Sequence, residues 1–152
     1  MSGASLEGLR EQIKGLKLPR MAEELPGLLQ EASKRELSYA DFLQELVARE
    51  LAAKQERHTQ MKTTMARFPF HKTLESFDFK FQPSIEVKVV RELATCRFLA
   101  DADNVLLLGP PGVGKTHLAV GLGLKACASG SRTVFTTAAG LIASTLVVNS
   151  SV

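Results

Sequence analysis

Gly109-Pro110-Pro111-Gly112-Val113-Gly114-Lys115-Thr116 fits the pattern G-x-x-x-x-G-K-[ST] of a phosphate-binding loop, the Walker A signature. Each residue type has a part in that chemistry. Glycines let backbone N–H groups turn inward around a phosphate with no Cβ in the way. A helix that starts at the loop adds the partial positive charge of its N-terminus to the same anion. Lys115 supplies a point charge to the β- and γ-phosphates, and the Thr116 hydroxyl is a ligand for Mg²⁺ held with the nucleotide. The candidate binding residues are therefore Gly109, Pro110, Pro111, Gly112, Val113, Gly114, Lys115 and Thr116. His117 directly follows and is counted with them, as a helix residue with no chemical role of its own, because one His without a partner is weak evidence.

A loop of this kind works only between a strand and a helix, and the flanking residues predict both. The apolar run Val105 to Leu108 reads as a buried strand. Lys115 to Ser129 carries Leu118, Ala119, Leu122, Ala126 and Cys127 at helical spacing and ends at Gly130, a residue suited to a helix C-terminus. Arg132 to Thr137 reads as a second strand, one βαβ step further on. The fold class these elements imply is α/β, with a strand, the loop, a helix and a strand. Upstream, a helix carrying Val89, Val90, Leu93, Ala94 and Phe98 leads into the first strand.

Three segments follow from this patterning: a helical region 1–67, an aromatic connector 68–84 and a nucleotide-binding region 85–152. In the first, Leu6, Leu9, Ile13 and Leu16 recur at three- and four-residue steps, Pro19 interrupts, and Met21, Leu25, Leu28 and Leu29 resume. Ser38 offers an N-cap to a further helix with Phe42, Leu43, Leu46, Val47 and Leu51 on one stripe, able to run to about Ala66. In the connector, Phe68, Phe70, Phe77, Phe79 and Phe81 read as packing residues, since apolar aromatics go to cores.

Composition excludes several classes. The chain has 152 residues, 45% hydrophobic and 23% charged, which is ordinary globular usage and not that of a collagen-like or disordered chain. No apolar run approaches the roughly 18 residues of a membrane span, and charged residues interrupt the first 17, so a soluble, cytoplasmic protein is expected. Cys96 and Cys127 are too few for a disulfide framework and read as reduced core residues. The net charge of +3 lies in the last third, because no Asp or Glu follows Asp103. A basic run, Lys54, Arg57, Lys62, Arg67 and Lys72, is a candidate phosphate-facing surface for DNA, the alternative being a solvated helix face.

Four segments in order resemble one family. They are Leu16-Lys17-Leu18-Pro19-Arg20-Met21, Arg67-Phe68-Pro69 with Thr73-Leu74-Glu75-Ser76-Phe77-Asp78-Phe79, the stretch from Asn104 through the loop to Ala119, and Phe135-Thr136-Thr137-Ala138-Ala139. Together they are similar to the IstB family, ATP-binding helper proteins of insertion-sequence transposases, over about Leu6 to Leu146. The resemblance implies an AAA+ ATPase related to the DnaC helicase loaders, with a helical N-terminal domain before the ATPase core. It also implies ATP and Mg²⁺ as cofactors, self-association or assembly with a full-length relative, and double-stranded DNA and a transposase as partners in transposition.

The chain departs from that pattern in its acids. Phosphoryl transfer in this class needs a carboxylate for Mg²⁺ and another acid for the attacking water. Asp101 and Asp103 precede the first expected strand and cannot serve, so no catalytic residue is assigned and a truncated, hydrolysis-deficient member is expected. In cores of this type the two expected strands are not neighbours, which leaves the sheet incomplete. Two alternatives stand beside a transposition helper: a DnaC-like helicase loader, and an inert ATPase remnant whose N-terminal helices act as an interaction module.

Overall fold

The structure, a computed structural model, describes residues 5–148. Its helices are α1 (Leu6–Gly15), α2 (Pro19–Arg35), α3 (Tyr39–Met65), α4 (Val87–Leu93), α5 (Arg97–Ala100), α6 (Lys115–Ala128) and α7 (Ala138–Val148), with a 3-10 turn at Leu74–Ser76. The chain divides into two compact units, Met1–His58 and Thr59–Val152, the division falling within α3.

In the first unit only part of each expected apolar stripe is buried: Ile13, Leu25, Leu28 and Leu46 are, whereas Leu6, Leu9, Leu16, Leu29, Leu43, Val47 and Leu51 are exposed. Ala22, Leu25 and Leu28 lie at three-residue steps on α2 and are buried with Ile13 and Leu46, and Leu18, Met21 and Phe42 pack on them. Caps set the helix ends. Ser5 Oγ accepts the Gly8 N–H, and Ser38 Oγ accepts the Asp41 N–H at 3.2 Å while donating to the Asp41 carboxylate. α2 starts with Pro19 after Leu18, which has no side-chain acceptor to offer. Its cap comes instead from α3. The buried Glu50 carboxylate accepts the Met21 N–H at 2.8 Å with one oxygen and the Arg57 guanidinium at 2.9 Å with the other.

The second unit corrects the α/β expectation. Among the described residues there is no β-strand and no sheet, and the segments expected as strands, Val105 to Leu108 and Arg132 to Thr137, are loop. An apolar run carries a preference for extended chain, but a strand exists only as one side of a hydrogen-bonded ladder. Neither segment has such a partner: the Phe135 N–H donates to the Ala66 carbonyl at 2.8 Å, at the end of α3. The burial still alternates, with Val105 and Leu107 half-buried while Leu106 and Leu108 are 80% and 88% exposed. One face of this run has found a core and the other has not. The helix expected to carry Val89 through Phe98 is also broken, because Cys96 sits at φ 60° between α4 and α5.

The core of this unit is Leu74, Phe77, Val90, Leu118 and Leu122, with Phe79, Ile85, Leu93, Ala94 and Leu107 packed against it. Of the connector aromatics, Phe77 and Phe79 thus pack as their type suggests, whereas Phe81 and Phe70 are exposed. Both cysteines are free and buried. Among the described residues no helix is long and apolar enough to cross a membrane.

Candidate phosphate-binding site

The loop expected to bind phosphate folds as a turn that feeds directly into α6. Gly112 and Gly114 take φ of +84° and +90°, conformations that a side chain strains, and Gly114 is the residue from which α6 departs. The first helical bond runs from the Leu118 N–H to the Gly114 carbonyl at 3.0 Å. The N–H groups of Lys115, Thr116 and His117 therefore precede the helical ladder, at the positive end of a 14-residue helix. The Lys115 ammonium folds back over the turn and donates to the Gly109 carbonyl at 2.8 Å and the Pro110 carbonyl at 2.7 Å. An ammonium has three hydrogens, so one remains after these two bonds.

This donor set suits an oxyanion and no cation. It gathers a lysine, a helix N-terminus and glycine backbone with no side chain to block approach: a Cβ on Gly112 would meet nothing within 4 Å. Thr116 is exposed beside it, in the first turn of α6. Against the loop opens a cleft of about 380 Å³ whose lining includes Ile85, Val89, Leu93, Leu106, Gly109 and Lys115. Apolar wall and phosphate-type donors thus lie side by side.

The helix that carries Lys115 and Thr116 is held along its length by one stretch of chain. Lys62 Nζ donates to the Gly130 carbonyl just beyond the C-terminus of α6. From there the chain runs antiparallel to α6 and seats a side chain over each of three glycines. A Cβ on Gly123 would lie 2.7 Å from the Phe68 ring, on Gly121 2.6 Å from Leu74 Cδ2, and on Gly114 2.6 Å from Phe77 Cε2. At the loop end, His117 Nε2 lies 2.9 Å from the Thr73 carbonyl and 3.3 Å from Ser76 Oγ, with its ring edge-on to Phe77. Glu75 of the same turn pairs with Lys125 of α6 at 2.6 Å, and that ammonium, helped by the Glu75 backbone N–H and the Thr73 hydroxyl, pulls its carboxyl from 4.5 down to about 2. The partners of His117 were not evident from the sequence. The signal that could have found them is the pair of glycines inside α6, since a helix-interior glycine marks close approach of another chain segment.

The five basic residues expected to face DNA are placed differently from one another. In the first unit Lys54 is exposed on α3, while Arg57 is tied to the buried Glu50. In the second, Lys62 is half-buried on the Gly130 carbonyl, Arg67 is exposed just past α3 at φ 56°, and Lys72 sits 5.6 Å from the Phe70 ring centre. Asp101 and Asp103 are exposed in the turn that follows α5. Among the described residues, no group of three or more His, Cys, Asp or Glu could hold a metal ion.

A family model for IstB-like ATP binding protein matches residues 11–149. A Pseudomonas aeruginosa protein, named for ATP binding and for insertion sequence IS21, is 48% identical over 120 residues, 79% of this chain and 45% of its own length. One from Geobacillus stearothermophilus, named likewise for IS5376, is 41% identical over 136 residues, 90% of this chain and 54% of its own. A third, named for IS232 in Bacillus thuringiensis subsp. berliner, is 34% identical over 131 residues, 86% and 52% of the two chains. The chain spans about half the length of the curated relatives it matches.

Proposed function

This chain belongs to the family of IstB-like ATP-binding proteins, and from that premise we propose that its 152 residues bind ATP with Mg²⁺ at Gly109–Thr116, in the service of insertion-sequence transposition. The observation that carries the proposal is the Lys115 ammonium folded over a turn whose glycines take positive φ at the N-terminus of α6. Backbone N–H groups of the loop and of the first turn of α6 hold the phosphates, and Lys115 trades its carbonyl partners for phosphate oxygens. Thr116 turns its hydroxyl to the metal. The apolar cleft beside the loop suits the planar base. ATP supplies a polyphosphate anion and a scissile γ-phosphoryl bond. These 152 residues supply no Asp or Glu after Asp103 with which to split it, so their own contribution is binding without turnover.

The names of the relatives, all tied to insertion sequences, favour transposition over helicase loading as the setting. In that setting the partners are double-stranded DNA and a transposase, reached through assembly with other copies or with a full-length relative. The test is a titration of the purified chain with a fluorescent ATP analogue and Mg²⁺ beside Lys115→Ala. Saturable binding that the substitution abolishes is the expected result. Absence of binding by the unaltered chain would overturn the proposal.

A further inference from the structure

Resting on the reading of Gly109–Thr116 as a nucleotide cradle, we propose that His117, with Phe77, is a positioning residue: it clasps the first turn of α6 to the Thr73–Phe77 turn and so fixes the aim of the loop. The hydrogen-bond inventory determines how the clasp works. The Thr73 carbonyl can only accept, and it already receives the Ser76 hydroxyl at 2.8 Å and the Ser76 N–H at 3.2 Å. His117 Nε2, 2.9 Å away, must therefore carry a hydrogen and donate it. Ser76 Oγ has given its one hydrogen to Thr73, so at 3.3 Å it accepts a share of the same Nε2–H. The imidazole is thereby held as the Nε2–H form, and its edge-on contact with Phe77, 5.1 Å between centres, fixes the ring from the side.

The same turn reaches the loop itself. Phe77 is buried, and its ring fills the space where a side chain on Gly114 would stand. Gly114 is the hinge between the loop and α6, and His117 is the third residue beyond it. Two adjacent contacts thus bracket Lys115 and Thr116, the two side chains that nucleotide binding uses. Neither Phe77 nor Thr73 belongs to the loop motif, and nothing in the motif requires a histidine after the threonine. What the clasp supplies is preorganisation: binding no longer has to order the turn that presents the donors.

Two measurements on the full chain test this. The first is the affinity for the fluorescent ATP analogue with Mg²⁺. The second, made without nucleotide, is the exchange rate of the Leu118 amide hydrogen, which closes the first turn of α6. We expect His117→Ala to weaken binding about five- to tenfold, the equivalent of one lost hydrogen bond, and to speed Leu118 exchange while leaving the Ala126 amide unchanged. His117→Gln, which can offer an amide N–H at similar reach, should restore both to within about twofold of the unaltered chain. A role in general stability would instead speed exchange throughout α6 and weaken binding in proportion, and Gln would not rescue it. That outcome, or His117→Ala behaving as the unaltered chain in both measurements, would overturn the clasp. Failure of the unaltered chain to bind would refute the nucleotide reading itself. The exchange measurement would then still decide the clasp, which stands only if the Leu118 amide alone is loosened.

Discussion

Arg10 Nε donates to the Ala22 carbonyl at 3.0 Å, and that carbonyl is the one Pro26 leaves without its helical partner. Within α2 the carbonyl of residue 22 should receive the N–H of residue 26, which proline lacks. Ala22 is fully buried, so water cannot take the vacant place. A guanidinium from α1 does. A defect in one helix thus becomes the point at which a second is docked to it, and Glu7 steadies the same arginine at 3.0 Å.

That arrangement predicts a coupling. Arg10→Ala should destabilise the chain by about 1.5–3 kcal/mol, the range for a hydrogen bond from a charged donor. With Pro26→Ala in the background, residue 26 regains an N–H for the Ala22 carbonyl, and Arg10→Ala should then cost about 1 kcal/mol less. Urea unfolding of the four chains measures the difference. Equal costs in the two backgrounds would show that the Arg10 bond does not answer to the proline.

Gly121 and Gly123 make a second pair of expectations, because in a helix interior alanine is the better residue by about 1 kcal/mol and each glycine must be offset by what it admits. At Gly121 a methyl would meet Leu74 Cδ2 at 2.6 Å, Cγ at 2.9 Å and the Leu74 backbone N at 3.1 Å, so a branch point and the main chain are both in the way. At Gly123 it would meet the outer edge of the Phe68 ring at 2.7 Å, with Thr133 Cγ2 at an ordinary contact distance of 3.5 Å. Gly121→Ala should therefore be destabilising by about 1–3 kcal/mol net, and Gly123→Ala by less. Phe68→Leu in combination should recover most of the loss at 123. Thermal melts rank the variants, and Gly123→Ala as the more damaging of the two would contradict the packing described.

The ion pair between Glu75 and Lys125 carries a pH signature of known sign. The hydrogen bond from Lys125, with those from the Glu75 backbone N–H and the Thr73 hydroxyl, lowers the Glu75 carboxyl from 4.5 to about 2 in the folded chain. A carboxyl with a depressed folded value contributes stability that is present above its unfolded value and is lost as pH falls through the folded one. The contribution should thus fade between about pH 5 and pH 2. Both side chains are substantially exposed, so salt should screen the effect. Glu75→Gln should flatten the acid limb of the stability profile, more at low ionic strength than in high salt. An acid limb unchanged by the substitution at low salt would rule this pair out as a contributor.

The first-unit helices, the break at Pro19 and the cap at Ser38 were legible from the sequence because each depends on residues within one or two turns. The turn at Gly109–Thr116 was legible for the same reason, since glycine spacing dictates backbone shape locally. Val105–Leu108 and Arg132–Thr137 were not. Their types favour extended chain, but a ladder needs a partner segment, and the Phe135 N–H is turned to Ala66. His117 was opaque on different grounds. Its partners Thr73 and Ser76 lie more than forty residues upstream, and only the glycines of α6 hinted that chain would pass so close.

The basic run offers the last expectation, and the structure divides it. Lys62 holds the Gly130 carbonyl and Arg57 holds Glu50, so both have internal partners to lose, whereas Lys54 and Arg67 are exposed. If duplex DNA is a partner, each exposed cation that neutralises a phosphate adds about one to the steepness with which affinity falls with salt. Lys54→Gln and Arg67→Gln should each reduce that slope by about one with no change in melting temperature. Lys62→Met should act the other way, loosening the C-terminal end of α6 while leaving the slope nearly as it was. Binding to a fluorescent duplex at several salt concentrations distinguishes the cases. A flat salt response of the unaltered chain would mean that these cations serve the fold and its solvated faces, and that any DNA contact lies elsewhere.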